Sequence, residues 1–333
     1  MSALPKTTKR RRPQPQDYTI GWITALPIEF AAAAHLLDEE HHDIPLSKNE
    51  STLYKLGRIG VHNVVLACLP AGQIGTHSAA TVASEMRSTF TSIQFGLMVG
   101  IGGGVPSKFD VRLGDVVVSQ PNGRCGGVVQ HDFGKTGVHG RITPTGFLNA
   151  PPQILLHALG RVQANHNQGK IDFLRHLSAF QSYPQFGRNI AGPDNLFEAA
   201  YEHQGGESCE NCMEIVVRPM RTGQEIAVHY GTIASGNQVI KDGVTRDRIS
   251  SEFGHVLCFE MEGAGLMNSF PCLVIRGICD YADTHKNKKW QPFAAATAAS
   301  FAKEVLLVVP AIDTGQRYLY ETITILTEQT DAH

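Results

Sequence analysis

The stretch VLCFEMEGAGLMNSFPCLVIRGICDYAD, residues 256–283, decides the fold and raises the main question about this chain. Its two apolar runs, VLCFE and CLVIRGICD, are typical of buried strands, and the segment between them, GAGLMNSF, is predicted to be a helix. The same stretch also contains four carboxylates: Glu260, Glu262, Asp280 and Asp283. An uncompensated buried carboxylate costs several kcal/mol, so these positions need either partners or a function.

The rest of the chain continues this alternation of apolar strands and helices. Strands are predicted at 18–26, 52–59, 62–70, 95–102, 114–121 and 230–237, and helices at 27–40, 75–90, 151–166 and 293–309. Strands that are apolar throughout, separated by helices, indicate a parallel sheet covered on both faces. We therefore predict one α/β domain over residues 17–310, with a twisted, mostly parallel central sheet flanked by helices.

Three segments fall outside this alternation. Residues 1–16 contain the basic run KTTKRRR and are predicted to be a disordered tail. The segment from about residue 167 to 226 is polar and rich in Gly, Gln and Glu, and it is interpreted as an insertion within the single domain. Residues 311–333 are predicted to be a C-terminal extension.

Composition excludes several classes of partner. The net charge of −2 provides no overall field that would attract nucleic acid or an anionic membrane. No apolar run approaches the roughly 20 residues of a membrane span, and no secretory signal is recognisable. Seven cysteines, mostly in apolar contexts, are interpreted as reduced. We expect a cytoplasmic protein, with nuclear entry through the basic tail as the alternative.

Acidic residues follow three of the predicted strands. Glu29 comes after the first strand, Glu262 after VLCFE, and Asp280 ends CLVIRGICD. In an open α/β sheet, ligands bind beyond the carboxyl ends of parallel strands, so these carboxylates are expected to meet at one edge if the strands are parallel neighbours. The alternative is that each is an acid in the first turn of a helix, where the helix dipole favours it.

The glycine-rich segment VGIGGGVP, residues 99–106, also follows a strand. It does not match a dinucleotide fingerprint, because residue 105 is valine, and the chain contains no Gly-Lys-Ser/Thr of a phosphate loop. It remains a backbone segment that could approach a ligand closely.

The insertion contains the sequence CENC, with Cys209 and Cys212 near His203. This is part of a zinc-ligand pattern, and His229 is a conceivable fourth ligand, since structural zinc usually has four. A second CxxC is absent from the sequence, so a reduced, metal-free pair is the favoured interpretation. We predict neither a cofactor nor a metal.

Five motifs occur in the order ALPIE, VGIGGGVP…LGDVVVS, IASGNQVI, FEMEGAG and RGICDYAD. Together they resemble the nucleoside phosphorylase / methylthioadenosine–adenosylhomocysteine nucleosidase superfamily, and especially the fungal phosphorylase-like domains fused to signalling modules. The resemblance covers about residues 18–309 apart from the insertion. It implies that the partner is a small purine nucleoside or nucleotide and that the protein is a homo-oligomer, with a dimer expected.

The resemblance also implies catalytic roles. Asp280 would protonate the purine at N7, Glu29 would orient or deprotonate the attacking water, and Glu262 would hold the ribose hydroxyls. The remaining substrate-binding positions implied by it are Met261, Phe259, Val239, Ile240, Asn237, Ile101, Gly102 and Gly103. These residue types suit the chemistry, because cleavage of a ribose–purine bond passes through an oxocarbenium-like state and the departing base needs an acid.

The same resemblance favours hydrolysis over phosphorolysis. The phosphorylases bind phosphate with arginines and a serine at the positions of Glu29, Met98 and Ile101 in this chain. A pocket of Glu, Met and Ile would repel phosphate. Two departures from the hydrolases affect substrate detail: Val239 replaces a frequent aromatic, and Ile101 replaces a serine.

Cations near the insertion and after Asp280 suggest a site for 5′-phosphates. They are Arg218, Arg221, Lys241, Arg246, Arg248, Lys286, Lys288 and Lys289. We therefore favour cleavage of an adenine nucleotide such as ATP into adenine and a ribose 5′-phosphate. The alternative interpretation of these cations is a solvated basic face without a phosphate site. The alternative functions are a hydrolase or phosphorylase of adenosine or guanosine, a sugar hydrolase, and a non-catalytic nucleoside sensor.

Overall fold

The computed structural model describes residues 13–45, 50–138, 142–206, 209–222 and 225–311. Residues 1–12 of the predicted tail and 312–333 of the predicted C-terminal extension lie outside these residues, so those parts stay predictions. Pro15–Asp17 form a short 3-10 helix, so the end of the tail is ordered, contrary to the prediction. The strands in chain order are β1 Ile20–Thr24, β2 Glu39–Glu40, β3 Tyr54–Ile59, β4 His62–Cys68, β5 Phe95–Gly104, β6 Val116–Ser119, β7 Val128–Gln130, β8 Gly134–Thr136, β9 Ile142–Pro144, β10 Val228–Gly231, β11 Ile233–Ser235, β12 Cys258–Glu260 and β13 Cys272–Asp280. The helices are α1 Pro27–His35, α2 Thr76–Thr89, α3 Gln153–Asn167, α4 Asp172–Ser178, α5 Gly243–Glu252, α6 Gly263–Leu266 and α7 Gln291–Val308.

The long strand β5 is the centre of the main sheet. It pairs in parallel with β1 on one side and with β13 on the other. The order across the sheet is β10-β6-β13-β5-β1-β4-β3-β2. The pairs β1–β4 and β10–β6 are parallel, whereas β13–β6, β3–β4 and β2–β3 are antiparallel. The predicted α/β fold with a mostly parallel sheet is therefore confirmed, with antiparallel pairs added.

A second group of strands branches from the end of β5. Strand β12 runs antiparallel to it, with Phe259 opposite Gly103. Strand β11 pairs in parallel with both β12 and β7. This branch positions the segment after β12, which carries Glu262, over the carboxyl end of the central strand.

Helices cover both faces of the main sheet. Neighbouring side chains of a strand point to opposite faces, so each strand contributes to two apolar clusters. In β1, Ile20 and Trp22 pack with residues of α1, α3, α4 and α7 on one face, and Ile23 packs with α2 and α6 on the other. Helix α7 is apolar almost all round and covers β5 and β13. No helix within the described residues is long and apolar enough to cross a membrane.

Several predicted boundaries were wrong. The first helix ends at His35, not near residue 40, and the helix after β12 has only four residues. The predicted strand 230–237 is divided at Thr232 and ends at Ser235, so residues 236–242 form a loop. Helix α5 was not predicted, although Asp242 caps it by accepting a hydrogen bond from the Thr245 backbone N–H at 2.8 Å.

Candidate active site

The glycine-rich end of β5 leaves space for two charged side chains of the neighbouring elements. Gly100 lies opposite Arg276 of β13. A methyl group at Gly100 would lie 2.5 Å from Arg276 Nη1 and 2.5 Å from Glu29 Oε1. The glycine at this position is therefore required by the protein's own side chains. The sequence had suggested close approach by a ligand instead.

Arg276 is the residue that sequence reasoning missed. It is a fully buried arginine in an apolar strand, and its Nη2 donates hydrogen bonds to Glu260 and, at 3.2 Å, to Glu262 Oε2. Burial lowers the pKa of Arg276, but Glu260, Glu262 and Glu29 together raise it well above the ordinary value. The guanidinium therefore stays charged and joins several carboxylates. Its signal in the sequence was the one cation within CLVIRGICD.

Glu29 is fixed between the first strand and β5. Its Oε2 accepts hydrogen bonds from the backbone N–H groups of Ala25 at 2.7 Å and Leu26 at 2.9 Å, and its Oε1 accepts one from Ile101 at 2.8 Å. Burial raises the pKa of Glu29 above its ordinary value, despite the opposing effect of Arg276 and these N–H groups. A raised pKa makes the ionised carboxylate a stronger base, which suits a group that accepts a proton.

Glu260 and Glu262 share Arg276 but have different environments. The Glu260 carboxylate also accepts hydrogen bonds from the backbone N–H groups of Glu262 at 3.1 Å and Gly263 at 3.0 Å, which shapes the turn after β12. Glu262 Oε1 accepts one from Gly75 at 3.2 Å, just before α2. Burial raises the pKa of Glu262 to about 7, even though Arg276 opposes this. Glu260 thus has a structural role, and Glu262 keeps capacity to bind hydroxyl groups.

Asp280 lies at the end of β13, beside Gly103. Its Oδ1 accepts a hydrogen bond from the Ala282 backbone N–H at 2.9 Å, and the Cys279 thiol donates to its Oδ2 at 3.1 Å. Lys286 Nζ is 2.9 Å from the same Oδ2. Burial lowers the pKa of Lys286, but the attraction of Asp280 raises it overall. Asp280 also borders a cavity of about 250 Å³.

The three predicted catalytic acids reach this region by different routes. Strands β1 and β13 flank β5 in parallel, as the prediction required. Strand β12 is not a parallel neighbour of either, because it runs antiparallel to the end of β5. Glu29 and Glu262 are linked through Arg276, whereas Asp280 packs against Gly103. What the three acids share is therefore their position at the carboxyl end of β5.

The predicted base-binding residues divide into two sets. Phe259 and Ile240 are buried in one apolar cluster with Ala282, two residues beyond Asp280. Val239 is 46% exposed and lies outside that cluster. Asn237 Oδ1 accepts hydrogen bonds from the Thr76 N–H and hydroxyl, both at 3.0 Å. The Asn237 side chain therefore ties its loop to α2.

Of the other predicted positions, Met261 and Ile101 are partly buried beside the acids, and Gly102 and Gly103 belong to β5. A methyl group at Gly102 would lie 3.0 Å from the Phe259 carbonyl oxygen, and one at Gly103 would lie 2.8 Å from Asp280 Oδ1. These glycines therefore keep β12 and the acid of β13 close to the central strand.

Most of the cations expected to form a phosphate site are already paired. Arg218 binds Asp194 at 2.8 Å, and Arg248 binds Glu252 at 3.1 Å. The other two arginines also have carboxylate partners: Arg221 binds Asp110 and Asp115, and Arg246 binds Asp247. Within the described ranges, Lys241, Lys288 and Lys289 form no ion pair. The arginines therefore do not form an unpaired basic face.

A second cluster lies outside the carboxylate site. Ligand atoms of His203, Cys209 and Cys212 lie within 4.8 Å of one another, which is a grouping that could hold a metal ion.

Comparisons with known proteins show the family to which the chain belongs and its fold. A model described as the phosphorylase superfamily matches residues 19–310. The chain is 46% identical to a nucleotide-binding leucine-rich repeat (NLR)-like protein of Hyaloscypha variabilis, over 90% of this chain and 30% of that protein. It thus spans about 30% of the length of that relative.

Two further relatives are nucleosidases. The 5′-methylthioadenosine/S-adenosylhomocysteine nucleosidase of Mycobacterium bovis is 27% identical over 88% of this chain and 98% of its own. The ATP nucleosidase Cap17 of Escherichia coli is 24% identical over 85% of this chain and 50% of its own. Among solved structures, the 5′-methylthioadenosine/S-adenosyl homocysteine nucleosidase of Helicobacter pylori matches with a TM-score of 0.57 at 19% identity, covering 87% of this chain and 98% of its own. That likeness shows the fold.

Proposed function

The chain belongs to the phosphorylase superfamily, and we propose that it is a purine nucleosidase that hydrolyses the N-glycosidic bond of an adenine nucleotide or nucleoside. The observation that carries this proposal is the grouping of Glu29, Glu262 and Asp280 around the end of β5. An N-ribosyl hydrolase needs a proton donor for the base, an acceptor for the water proton and a group that fixes the ribose. The raised pKa of Glu29 suits the proton acceptor, the position of Glu262 beside Gly75 suits a group that binds ribose, and Asp280 borders the cavity in which a base could lie.

In the proposed reaction, protonated Asp280 donates its proton to purine N7 while the bond between C1′ and N9 breaks. The bonding electrons leave with the base, and a water molecule attacks C1′ as Glu29 accepts its proton. Glu262 binds the ribose hydroxyls and its charge stabilises the oxocarbenium-like state. Lys286, 2.9 Å from Asp280 Oδ2, stabilises the carboxylate left after proton transfer. Proton exchange with solvent restores both acids.

Water is favoured over phosphate by the charges in the site. Glu29, Glu260 and Glu262 surround one guanidinium, that of Arg276, which already binds two of them. An inorganic phosphate placed there would meet more negative than positive charge. The Met98 side chain is no substitute for an arginine, since it is buried in the core cluster beneath α2.

A nucleotide substrate is the finer part of the proposal. It is supported by the likeness to an ATP nucleosidase and to an NLR-like protein. It is also supported by three exposed lysines without ion pairs among the described residues, one of which, Lys289, borders the cavity beside Asp280. The arginines do not support a nucleotide substrate, because each is already paired with a carboxylate.

The test is to incubate the purified protein separately with ATP, AMP, adenosine and guanosine and to separate the products by chromatography. We expect adenine and ribose 5′-triphosphate from ATP, at a rate that orthophosphate does not change. Adenine from adenosine alone would refute the nucleotide preference, and acceleration by orthophosphate would refute hydrolysis. Asp280→Asn is the matched control, because it removes the acid and is expected to lower kcat about 10²–10⁴-fold.

A non-catalytic sensor is the second candidate, since the NLR-like relative is much longer than this chain. The two functions differ in the Asp280→Asn variant. An enzyme loses turnover and still binds the nucleoside, whereas a sensor shows no turnover even as the unaltered protein. Calorimetric binding measured beside the turnover assay separates them.

We also propose that the protein is a homodimer. Phe133 and Phe147 are 59% and 84% exposed and border an open cavity of about 620 Å³. Exposed large apolar side chains in one region are typical of interaction surfaces. Light scattering should give twice the mass of one chain, and Phe147→Asp should reduce it to that of a monomer. A monomeric unaltered protein would refute the proposal.

A further inference from the structure

We propose that His203, Cys209 and Cys212 bind a zinc ion and that His285 supplies the fourth ligand. The first three offer ligand atoms within 4.8 Å of one another. In tetrahedral zinc, with Zn–S near 2.3 Å and Zn–N near 2.0 Å, ligand atoms lie about 3.5–3.8 Å apart. The first three ligand atoms therefore need to close by up to about 1 Å, and His285, which lies outside that grouping, must turn toward them.

His285 is the second, independent observation. Its side chain is almost completely buried, and neither ring nitrogen has a hydrogen-bond partner among the described residues. Its ring stacks on Phe197 at 3.9 Å and lies 5.5 Å from the ring of His203. The Cys209 thiol is 3.8 Å from the His285 carbonyl oxygen. A buried, unpartnered imidazole is unfavourable, and a bound metal would satisfy one of its nitrogens.

Asp283 is placed to orient His285. Its Oδ1 accepts a hydrogen bond from the His285 backbone N–H at 2.9 Å and lies 3.7 Å from His285 Nδ1. A metal-bound histidine usually donates its second ring N–H to a carboxylate or carbonyl group, which fixes the ring and its tautomer. A small rotation of His285 would give Nδ1–H to Asp283 and leave Nε2 for the metal.

The ligand types select the metal. Two thiolates and two imidazoles form a set that favours zinc over the oxygen-binding cations magnesium and calcium. Binding requires that both thiols lose their protons, so one zinc ion displaces two protons at the cysteines. The alternative for this CxxC pair is a disulfide, which the experiment below distinguishes from zinc binding.

Such an ion would join the insertion to the segment that follows the catalytic acid. His203 already donates a hydrogen bond from its backbone N–H to the Thr284 hydroxyl at 3.0 Å. Thr284 and His285 come four and five residues after Asp280. Metal binding would thus fix the insertion against one wall of the cavity that Cys209, His285 and Asp280 border.

The experiment uses the whole chain, purified under reducing conditions without chelators. Mass spectrometry of metals should find about one zinc ion per chain, which a thiol-directed chelator removes. Adding Co²⁺ to the stripped protein should give the visible absorption of tetrahedral cobalt with thiolate charge transfer. His285→Gln should weaken zinc binding about 10–100-fold in a competition assay with a chromophoric chelator.

Cys209→Ser and Cys212→Ser should abolish both signals, whereas Cys125→Ser, at a partly exposed cysteine outside the cluster, should leave them unchanged. Because a variant could fail to fold, the cobalt titration of the unaltered protein is decisive by itself. Absence of zinc and of the cobalt spectrum, or a Cys209–Cys212 disulfide that persists under the reducing conditions of the purification, would overturn the site. Unchanged affinity in His285→Gln would overturn the assignment of the fourth ligand. None of these measurements depends on enzymatic activity.

Discussion

Replacement of Glu262 by Gln should stabilise the protein while removing the carboxylate that we propose binds the ribose. The Glu262 carboxyl group is buried, and burial raises its pKa from the ordinary 4.5 to about 7, against the attraction of Arg276. In the unfolded chain the same group ionises near 4.5. The folded state therefore binds this proton more tightly than the unfolded state does.

The sign and size of the effect follow from linkage. Between pH 4.5 and pH 7 the folded state keeps a proton that the unfolded state has released, so the free energy of unfolding falls as pH rises. At 1.36 kcal/mol per pKa unit, the loss reaches about 3 kcal/mol above pH 7. Glutamine remains neutral at every pH. Glu262→Gln should therefore match the unaltered protein near pH 4.5 and exceed its stability by up to about 3 kcal/mol at pH 8.

Urea unfolding followed by tryptophan fluorescence measures this, because both Trp22 and Trp290 are buried. Glu85→Gln is the control with the opposite sign. Hydrogen bonds from the Thr52 hydroxyl, 2.6 Å away, and from Ser51 lower the pKa of Glu85, so its loss should destabilise the protein at pH 8. If the difference between Glu262→Gln and the unaltered protein does not grow from pH 5 to pH 8, the reasoning is wrong.

Three further predictions concern the same region. Arg276→Met should lower the free energy of unfolding by about 3–5 kcal/mol, because it leaves two paired carboxylates buried without a cation; a urea titration showing less than about 1 kcal/mol would contradict this. Gly100→Ala places a methyl group 2.5 Å from Arg276 and Glu29 and should reduce kcat/KM at least about 100-fold. The control is Gly160→Ala, in α3 with open space around it, which should keep activity and add about 1 kcal/mol to the free energy of unfolding. Finally, kcat/KM should fall as the pH drops below about 7, because protonation of Glu262 removes the negative charge proposed to strengthen its hydrogen bonds to ribose and to stabilise the oxocarbenium-like state. A flat profile from about pH 5.5 to pH 8 would count against that role.

The sequence was most informative where a local pattern determines the structure. Apolar strands alternating with helices predicted the layered fold, and acids after three of those strands pointed to the end of β5, where the structure places all three. The direction of β12 relative to β5 could not be predicted in this way. A strand's own residues reveal its buried faces, but its direction depends on neighbours distant in the chain.

Polar contacts between residues distant in the sequence explain the remaining differences between prediction and structure. The arginines of the insertion appeared available for a phosphate, but Arg221 binds Asp115, 106 residues away. In the sequence, Arg276 is a single cation within a conventional strand pattern. Its role, to neutralise buried carboxylates, depends on Glu29 and Glu262 from two other segments. The loop after β11 appeared to continue a strand, but Asn237 is held by Thr76. Such partners become visible only when the segments are folded together.

The crowding at Gly100 bears on how a pocket of this kind could diverge. One acidic and one basic atom, from Glu29 and Arg276, occupy the space next to a single α-carbon. Exchanging the acid for an arginine would bring two like charges together at that point. Such an exchange would therefore have to be accompanied by loss of the positive charge at Arg276.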